Sequence, residues 1–298
     1  MKNLIYFLMA LPLLFASCSN DAESADAQTV QVTFSTELPQ RLGSRATTTP
    51  ATVNKVVCAV FEHGQEIKAL RKEVAIQAGV AIEYAPQLIK GRTYNVVFWA
   101  MKDDSYVVTD LTAITRTPNK PEADYDAFTK SEEITVANAE GKSVTLLRPL
   151  AQLNLGVTQA DWTSVSDPNG FNMTPTMVDV TITGKETFNA LTGLATGQDQ
   201  PLTRTALPSS GDDLVVNGTT YKSIASCYLY PEAGQENFDV TFTVKDQHGD
   251  PIRADVLISS VPLQSNYRTN VVGGLLTGTI TYTIDFEEEF TDSHDKEI

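Results

Sequence analysis

Apolar and polar residues alternate with a period of two along most of this chain, and that period predicts one strand after another. Val30, Val32 and Phe34 alternate with Gln31, Thr33 and Ser35, the pattern of a half-buried strand whose successive side chains point to opposite faces. From Val53 onward, VVCAVFEHG, EVAIQAG, VAIEYAPQL and KGRTYNVVFWAMKDD read as further strands separated by turns. Within the last of these, Tyr94 to Trp99 is too apolar on both faces for a surface strand.

Turn chemistry sharpens the reading. ITVANAEGKSVTLL is expected to form a hairpin with a Gly-containing loop. DLVVNGTTYKSI places Asn217-Gly218 between β-formers, which predicts a type I′ hairpin because both central residues need positive φ. NFDVTFTVKDQHGDPIRADVLI predicts another hairpin with Gly249 at its tip. DLTAITRT, near Leu111, is read as one short helix, and no segment sustains a 3.6-residue period. The last strand, in TGTITYTIDFEEEF, alternates Ile280, Tyr282, Ile284 and Phe286 with Thr281, Thr283 and Asp285.

The fold class is therefore all-β. About fifteen strands are too many for one sandwich of seven to nine, so two stacked sandwiches of Greek-key type are expected. Pro149 cannot donate to a strand ladder and belongs at a strand start or crossover. The boundary is accordingly placed there, in RPLAQLNLGV, giving an N-terminal sandwich over 46–148 and a C-terminal one over 149–298.

The beginning of the chain has a different pattern. In MKNLIYFLMALPLLFASC, Lys2 supplies a positive start, Leu4 to Phe15 an apolar run, and Ala16 and Ser17 the small residues before a peptidase cut. The run is too short for a bilayer core of roughly 30 Å, so residues 1–17 read as a removable signal. Leu14-Phe15-Ala16-Ser17-Cys18 resembles the lipobox of bacterial lipoproteins, with Phe15 departing from the usual leucine. Cys18 is then a lipid attachment site; the other reading is an ordinary secretory signal with an incidental cysteine. SNDAESADAQ follows with the composition of a tether. After the first strand, ELPQRLGSRATTTPAT reads as an exposed loop carrying Arg41 and Arg45.

Bulk composition narrows the partners. The 298 residues are 42% hydrophobic and 20% charged, enough apolar material for sizeable cores, and the net charge of −15 argues against nucleic acid or a bare anionic membrane as partner. No apolar run after Cys18 is long enough to cross a membrane. Cys58 and Cys227 sit in strand-like runs and read as buried free thiols, a disulfide between them being the alternative in an exported protein.

Chemistry is sparse. His63 and His248 each precede a glycine, His294 lies in the charged tail, and none has metal-pair spacing. There is no nucleophile elbow, P-loop or C-x-x-C, and DQHGDPIRAD only loosely suggests a Ca²⁺ loop. No catalytic residue, cofactor or metal is assigned, and the chain is not read as an enzyme. A glycan-binding surface lipoprotein is the competing reading, and it would need Trp162 to converge with Tyr221 or Tyr228 on a solvent-facing platform, Trp99 being read as core.

One arrangement is mechanical. A cut at Arg45 would free the strand carrying Val30, Val32 and Phe34, opening a groove. Refilling three such sites is worth roughly 5–9 kcal/mol, at about 1.5–3 kcal/mol each. The alternating strand with Ile280, Tyr282, Ile284 and Phe286 could do this for a neighbouring subunit by β-strand addition. The plainer reading is that both terminal strands complete their own sandwiches.

RPLAQLNLGV (148–157), FNALTGLATG (188–197) and above all VPLQSNYRTNVVGGLLT (261–277) resemble the fimbrillin family, the FimA-like and Mfa-like lipoprotein-precursor pilins of type V pili. The resemblance implies two transthyretin-like β-sandwiches, export to the outer membrane with palmitate-type lipid on Cys18, and cleavage by an extracellular trypsin-like protease. By position the cut falls between Arg45 and Ala46, with Arg41 as the alternative. Subunits would then polymerise by donor-strand exchange, with 279–290 as donor, into a fimbrium that supports adhesion to host or bacterial surfaces. A lipid-retaining anchor subunit is also compatible. In the last motif, Asn266 and Asn270 suit turn and edge positions, and Val271, Val272, Leu275 and Leu276 are expected in the core.

Overall fold

The computed structural model describes residues 28–37, 53–77, 80–166, 173–206, 213–231 and 234–287. The first strand, β1 (Thr29–Glu37), is followed by β2 (Lys55–Glu62), β3 (Gln65–Glu66), β4 (Lys72–Ala75), β5 (Ile82–Tyr84) and β6 (Gln87–Ile89). Then come β7 (Thr93–Met101), β8 (Tyr106–Val107), β9 (Thr115–Arg116), β10 (Ala127–Thr135) and β11 (Glu140–Thr145). Most of them make two facing sheets, β11-β1-β5, with β6 also on β1, and β10-β7-β2-β3, with β4 also on β2, while β8 and β9 pair with each other. The inward residues of both sheets, among them Val32, Phe34, Cys58, Tyr84, Val96 and Phe98, form one core.

The second half repeats this plan. It contains β12 (Ala151–Val157), helix α1 (Gln159–Ser166), β13 (Met177–Gly184), β14 (Thr187–Asn189), β15 (Leu194–Thr196) and β16 (Gln200–Ala206). β17 (Asp213–Val216), β18 (Thr219–Leu229), β19 (Glu236–Lys245), β20 (Pro251–Leu263), β21 (Arg268–Gly274) and β22 (Thr281–Glu287) complete it. One sheet runs β17-β18-β12-β21-β22 and the other β16-β13-β19-β20. Leu153, Leu155, Ile224, Phe242, Ile258 and Val271 belong to the core between them. The architecture is all-β sandwich, as the alternation predicts.

A third cluster joins the two halves and explains why β7 is apolar on both faces. Val97 and Trp99 of β7 and Val57 and Phe61 of β2 turn away from the first core and pack with Phe188 and Tyr230. Phe188 and Ile114 exchange backbone hydrogen bonds of 2.8 and 2.9 Å, and Phe188 stacks on Tyr230 with centroids 5.3 Å apart. Arg116 crosses the same junction, pairing with Glu122 at 3.3 Å and donating to the Tyr228 carbonyl. The motif around Phe188 forms the β14–β15 hairpin, with Gly193 at φ +75° in its turn.

Two local expectations are corrected. ITVANAEGKSVTLL is not a hairpin: β10 pairs with β7, whereas β11 runs parallel to β1 in the opposite sheet. Ile134, Val136, Val144 and Leu146 all face the first core, so the chain must cross between sheets there. The segment near Leu111 is not helical, because the backbones of Leu111 and Ile114 are engaged by Ala190 and Phe188. The helix lies instead at α1, which covers the second core with Val165. Asn217-Gly218 does turn between β17 and β18, with φ +48° and +77°, and Gly249 lies in the β19–β20 turn at φ +85°. Cys58 and Cys227 are free, fully buried, and in different cores, so no disulfide joins them.

Candidate functional site

The first strand occupies an interior slot. β1 pairs in parallel with β11 from Val32↔Glu140 to Glu37↔Thr145. On its other side it pairs antiparallel with β6 at residues 29–31 and with β5 at residues 34–36. Val32 and Phe34 are fully buried, and Val30 is partly buried against the same core. Phe34 lies 5.7 Å from Phe98 and 6.4 Å from Tyr84, centroid to centroid. The Tyr84 hydroxyl donates to the Leu70 carbonyl at 2.5 Å, and burial pushes its pKa up. Thr36 completes the inward row, its buried hydroxyl without a partner. The segment after β1, with Arg41, Arg45 and Ala46, lies outside the described residues, as do Cys18 and the leading run.

The last strand is held quite differently. Among the described residues β22 is an edge strand, paired only with β21 from Arg268↔Glu287 to Gly274↔Thr281. Ile280 and Ile284 pack against the second core, Phe286 stacks on Tyr267 with centroids 5.0 Å apart, and Tyr282 is 42% exposed. The four apolar residues of the C-terminal alternation are therefore only partly covered.

Polar side chains tie this edge to the strands behind it. Asn154 donates to the Asn270 side chain at 2.8 Å. Asn270 in turn donates to Asp285 at 3.2 Å and Glu287 at 3.3 Å, and Asn217 also reaches Asp285 at 2.9 Å. Arg268 bridges Gln152 and Glu287. Asn270 is thus a buried ladder residue in a strand with neighbours on both sides, not an edge residue. Asn266 does occupy a turn, at φ +66°, and Val271, Val272, Leu275 and Leu276 are buried.

Two residues that hold β22 escaped the sequence reading. Gly273 faces Tyr282 so closely that a Cβ there would stand 2.0 Å from the Thr281 carbonyl oxygen. Asp161, in the first turn of α1, accepts hydrogen bonds from the backbone N–H groups of Leu275 (2.7 Å), Leu276 (2.6 Å) and Thr277 (2.9 Å). Its carboxylate also accepts the Thr277 hydroxyl at 2.5 Å. The available signal was Thr158-Gln159-Ala160-Asp161, a helix-start pattern; the Thr158 hydroxyl indeed accepts the Asp161 N–H at 3.1 Å.

The other candidates do not assemble. Trp162, Tyr221 and Tyr228 belong to three separate clusters, and Tyr228 is buried, so they form no aromatic platform. His63 and His248 lie in turns. The Asp246 carboxylate of the suggested Ca²⁺ loop accepts the backbone N–H groups of His248 (2.8 Å) and Asp250 (3.0 Å), an Asx-type turn. A polar cleft of about 540 Å³ lies beside the junction, where Arg116 pairs with Glu122 and Arg204 with Glu186.

The model of a family of unknown function, DUF6562, matches residues 23–298, and the chain belongs to that family. No curated protein matches it in sequence. Among solved structures, an adhesin candidate from Bacteroides thetaiotaomicron aligns at a TM-score of 0.51 with 11% identity, over 88% of this chain and 98% of that one. The tip fimbrial protein Mfa3 from Porphyromonas gingivalis aligns at 0.44 with 10% identity, over 87% and 99%. The fimbrial anchor protein Mfa2 of the same organism aligns at 0.42 with 14% identity, over 82% and 90%. At these identities the first likeness is one of fold.

Proposed function

We propose that this member of the family is a structural subunit of a cell-surface fimbrium, exported as a lipoprotein on Cys18 and assembled by strand exchange. The supporting observation is the unequal seating of the two terminal strands. β1 fills the interior of a sheet with Val32 and Phe34 fully buried, whereas β22 lies on an edge with Tyr282 exposed. Release of β1 opens a slot with unpaired backbone on both sides and an apolar floor. Release of β22 uncovers one strand edge and partly covered side chains. A slot that is costly to leave empty and a strand that is easier to detach are the two halves of a polymerising contact.

In this reading a trypsin-like protease cuts after Arg45, or after Arg41, and β1 departs with the lipidated tether. The freed slot accepts residues around Ile280, Tyr282, Ile284 and Phe286 from the next subunit. Its partners are other copies of itself or other pilins, and its place is the outer surface and then the fimbrium. The fimbrial and adhesin likenesses are in keeping with this role.

Limited trypsin digestion of the chain from residue 19 tests the mechanism. A cut within 38–52 should give multimers that survive detergent without boiling, and deletion of 279–298 should abolish them. A cleaved chain that stays monomeric, or multimers that persist after the deletion, would rule the mechanism out.

A further inference from the structure

We infer that Asp161 fixes the pivot from which the C-terminal strand moves, placing it at Gly278; this rests on the strand-exchange reading above. The loop between β21 and β22 is fastened from both sides as far as Thr277. Leu275 and Leu276 bury their side chains in the second core, at 0% and 2% exposure. Their backbone N–H groups and that of Thr277, which point away from any strand ladder, all end on the Asp161 carboxylate. Asp161 is itself 6% exposed and sits on α1, whose first turn is capped by Thr158. One side chain thus satisfies three main-chain donors and a hydroxyl, and it anchors the loop to a different element of the body.

The restraint ends abruptly. Gly278 follows at φ +62°, and nothing lies within 4 Å of the place its Cβ would take. That backbone region favours glycine, and the open surroundings leave room for rotation. β22 therefore detaches about Gly278 while β21 and the loop through Thr277 stay with the body. Gly278 to Phe286 then spans about 30 Å when extended at roughly 3.3 Å per residue, starting from a fixed root. A fixed root gives every subunit the same reach and register toward its neighbour's slot. Without the carboxylate, the next permissive positions lie upstream at Gly273 and Gly274, and the root is no longer unique.

Asp161 is accordingly a positioning residue for strand donation. The test uses the full mature chain carrying Asp161→Ala, with Asp161→Asn as the milder variant should the first fail to fold. Hydrogen exchange is read for Leu275–Thr277, for β22 and for β12, and detergent-stable multimers are counted after trypsin. Exchange at 275–277 and β22 should accelerate roughly 10- to 100-fold while β12 keeps its protection, and multimer yield should fall at least several-fold although the cut proceeds normally. Unchanged protection at 275–277 overturns the inference, as does faster exchange with wild-type multimer yield. If the wild-type chain itself gives no multimers, strand exchange falls and the pivot with it, whereas a wild-type ladder matched by the variants defeats the pivot alone.

Discussion

Gly273 lies opposite Tyr282 in the last pair of strands, so close that a Cβ on the glycine would stand 2.0 Å from the Thr281 carbonyl oxygen. A Cβ on Gly273 would also come within 2.8 Å of the Tyr282 Cα, and main chain cannot yield as a flexible side chain can. Gly273→Ala should therefore push β22 away from β21 at a cost of about 1–3 kcal/mol, the range for overpacking. Hydrogen exchange should show faster loss of protection in 281–287 with β12 and β18 unaffected; equal protection in wild type and variant would refute this.

Phe34 and Phe286 are the same residue type in unequal seats. Phe34→Ala removes a fully buried ring from the first core and should cost about 3–5 kcal/mol. Phe286→Ala removes a ring stacked on Tyr267 at an edge and should cost about 1 kcal/mol, the typical effect of a point change. Urea midpoints of the uncleaved chain rank the two, and the reverse order would contradict the account of the terminal strands.

Arg148 and Asp126 form a buried two-point ion pair, with Nε–Oδ1 at 2.7 Å and Nη2–Oδ2 at 3.0 Å, and the guanidinium lies 4.4 Å from the Phe128 ring centroid. Removing one partner strips a buried charge of this two-point pairing, so Asp126→Ala should destabilise by about 3–5 kcal/mol. Asp126→Leu combined with Arg148→Met should recover most of that loss. Thermal melts of the single and double variants decide it, and a double variant no better than the single would count against the pair as the cause.

Burial holds several weak acids in their neutral forms. It pushes the Cys58 thiol up to about 12 and the Tyr230 hydroxyl up to about 12, and it raises Cys227, Tyr84 and Tyr106 as well. Above pH 9 the unfolded thiols ionise while the folded ones do not, so the unfolded chain binds fewer protons and stability falls as pH rises. The melting temperature should be level near pH 8 and drop between pH 9 and 12. Neither thiol should react with a disulfide reagent at pH 8 until the chain is unfolded; prompt reaction of the native protein would show the cores to be open.

What could be read from the sequence was whatever short-range physics decides. A two-residue type I′ turn needs positive φ at both central positions, which Asn217-Gly218 adopts readily, and it turns between β17 and β18. The double-faced apolarity of β7 gave away that it is covered twice. The parallel partner of β1 was hidden because residue 32 meets residue 140 through a crossover, and local pattern made β10 and β11 look like each other's partners instead. Asn270 looked like an edge residue because its true neighbour, Asn154, lies in another motif. Helix α1 has eight residues and buries only Asp161 and Val165, too little of a stripe to register as a helical period. Its capping pattern was there to be seen, but the destination of the Asp161 carboxylate lies in the β21–β22 loop and could not be read locally.

The parallel seating of β1 beside β11 carries a consequence in time. Residue 32 cannot find residue 140 until the intervening chain is made and folded, and such non-local pairings form slowly. While the chain is continuous, β1 is a tethered neighbour of its slot and returns whenever it leaves. Once the link at 38–52 is cut, its return becomes an encounter between separate molecules, diluted by every wash of the surrounding medium. Proteolysis in that segment would therefore act as a ratchet. An intact precursor can unfold and recover, whereas a clipped one keeps its shape only as long as some strand, its own or another's, stays in place.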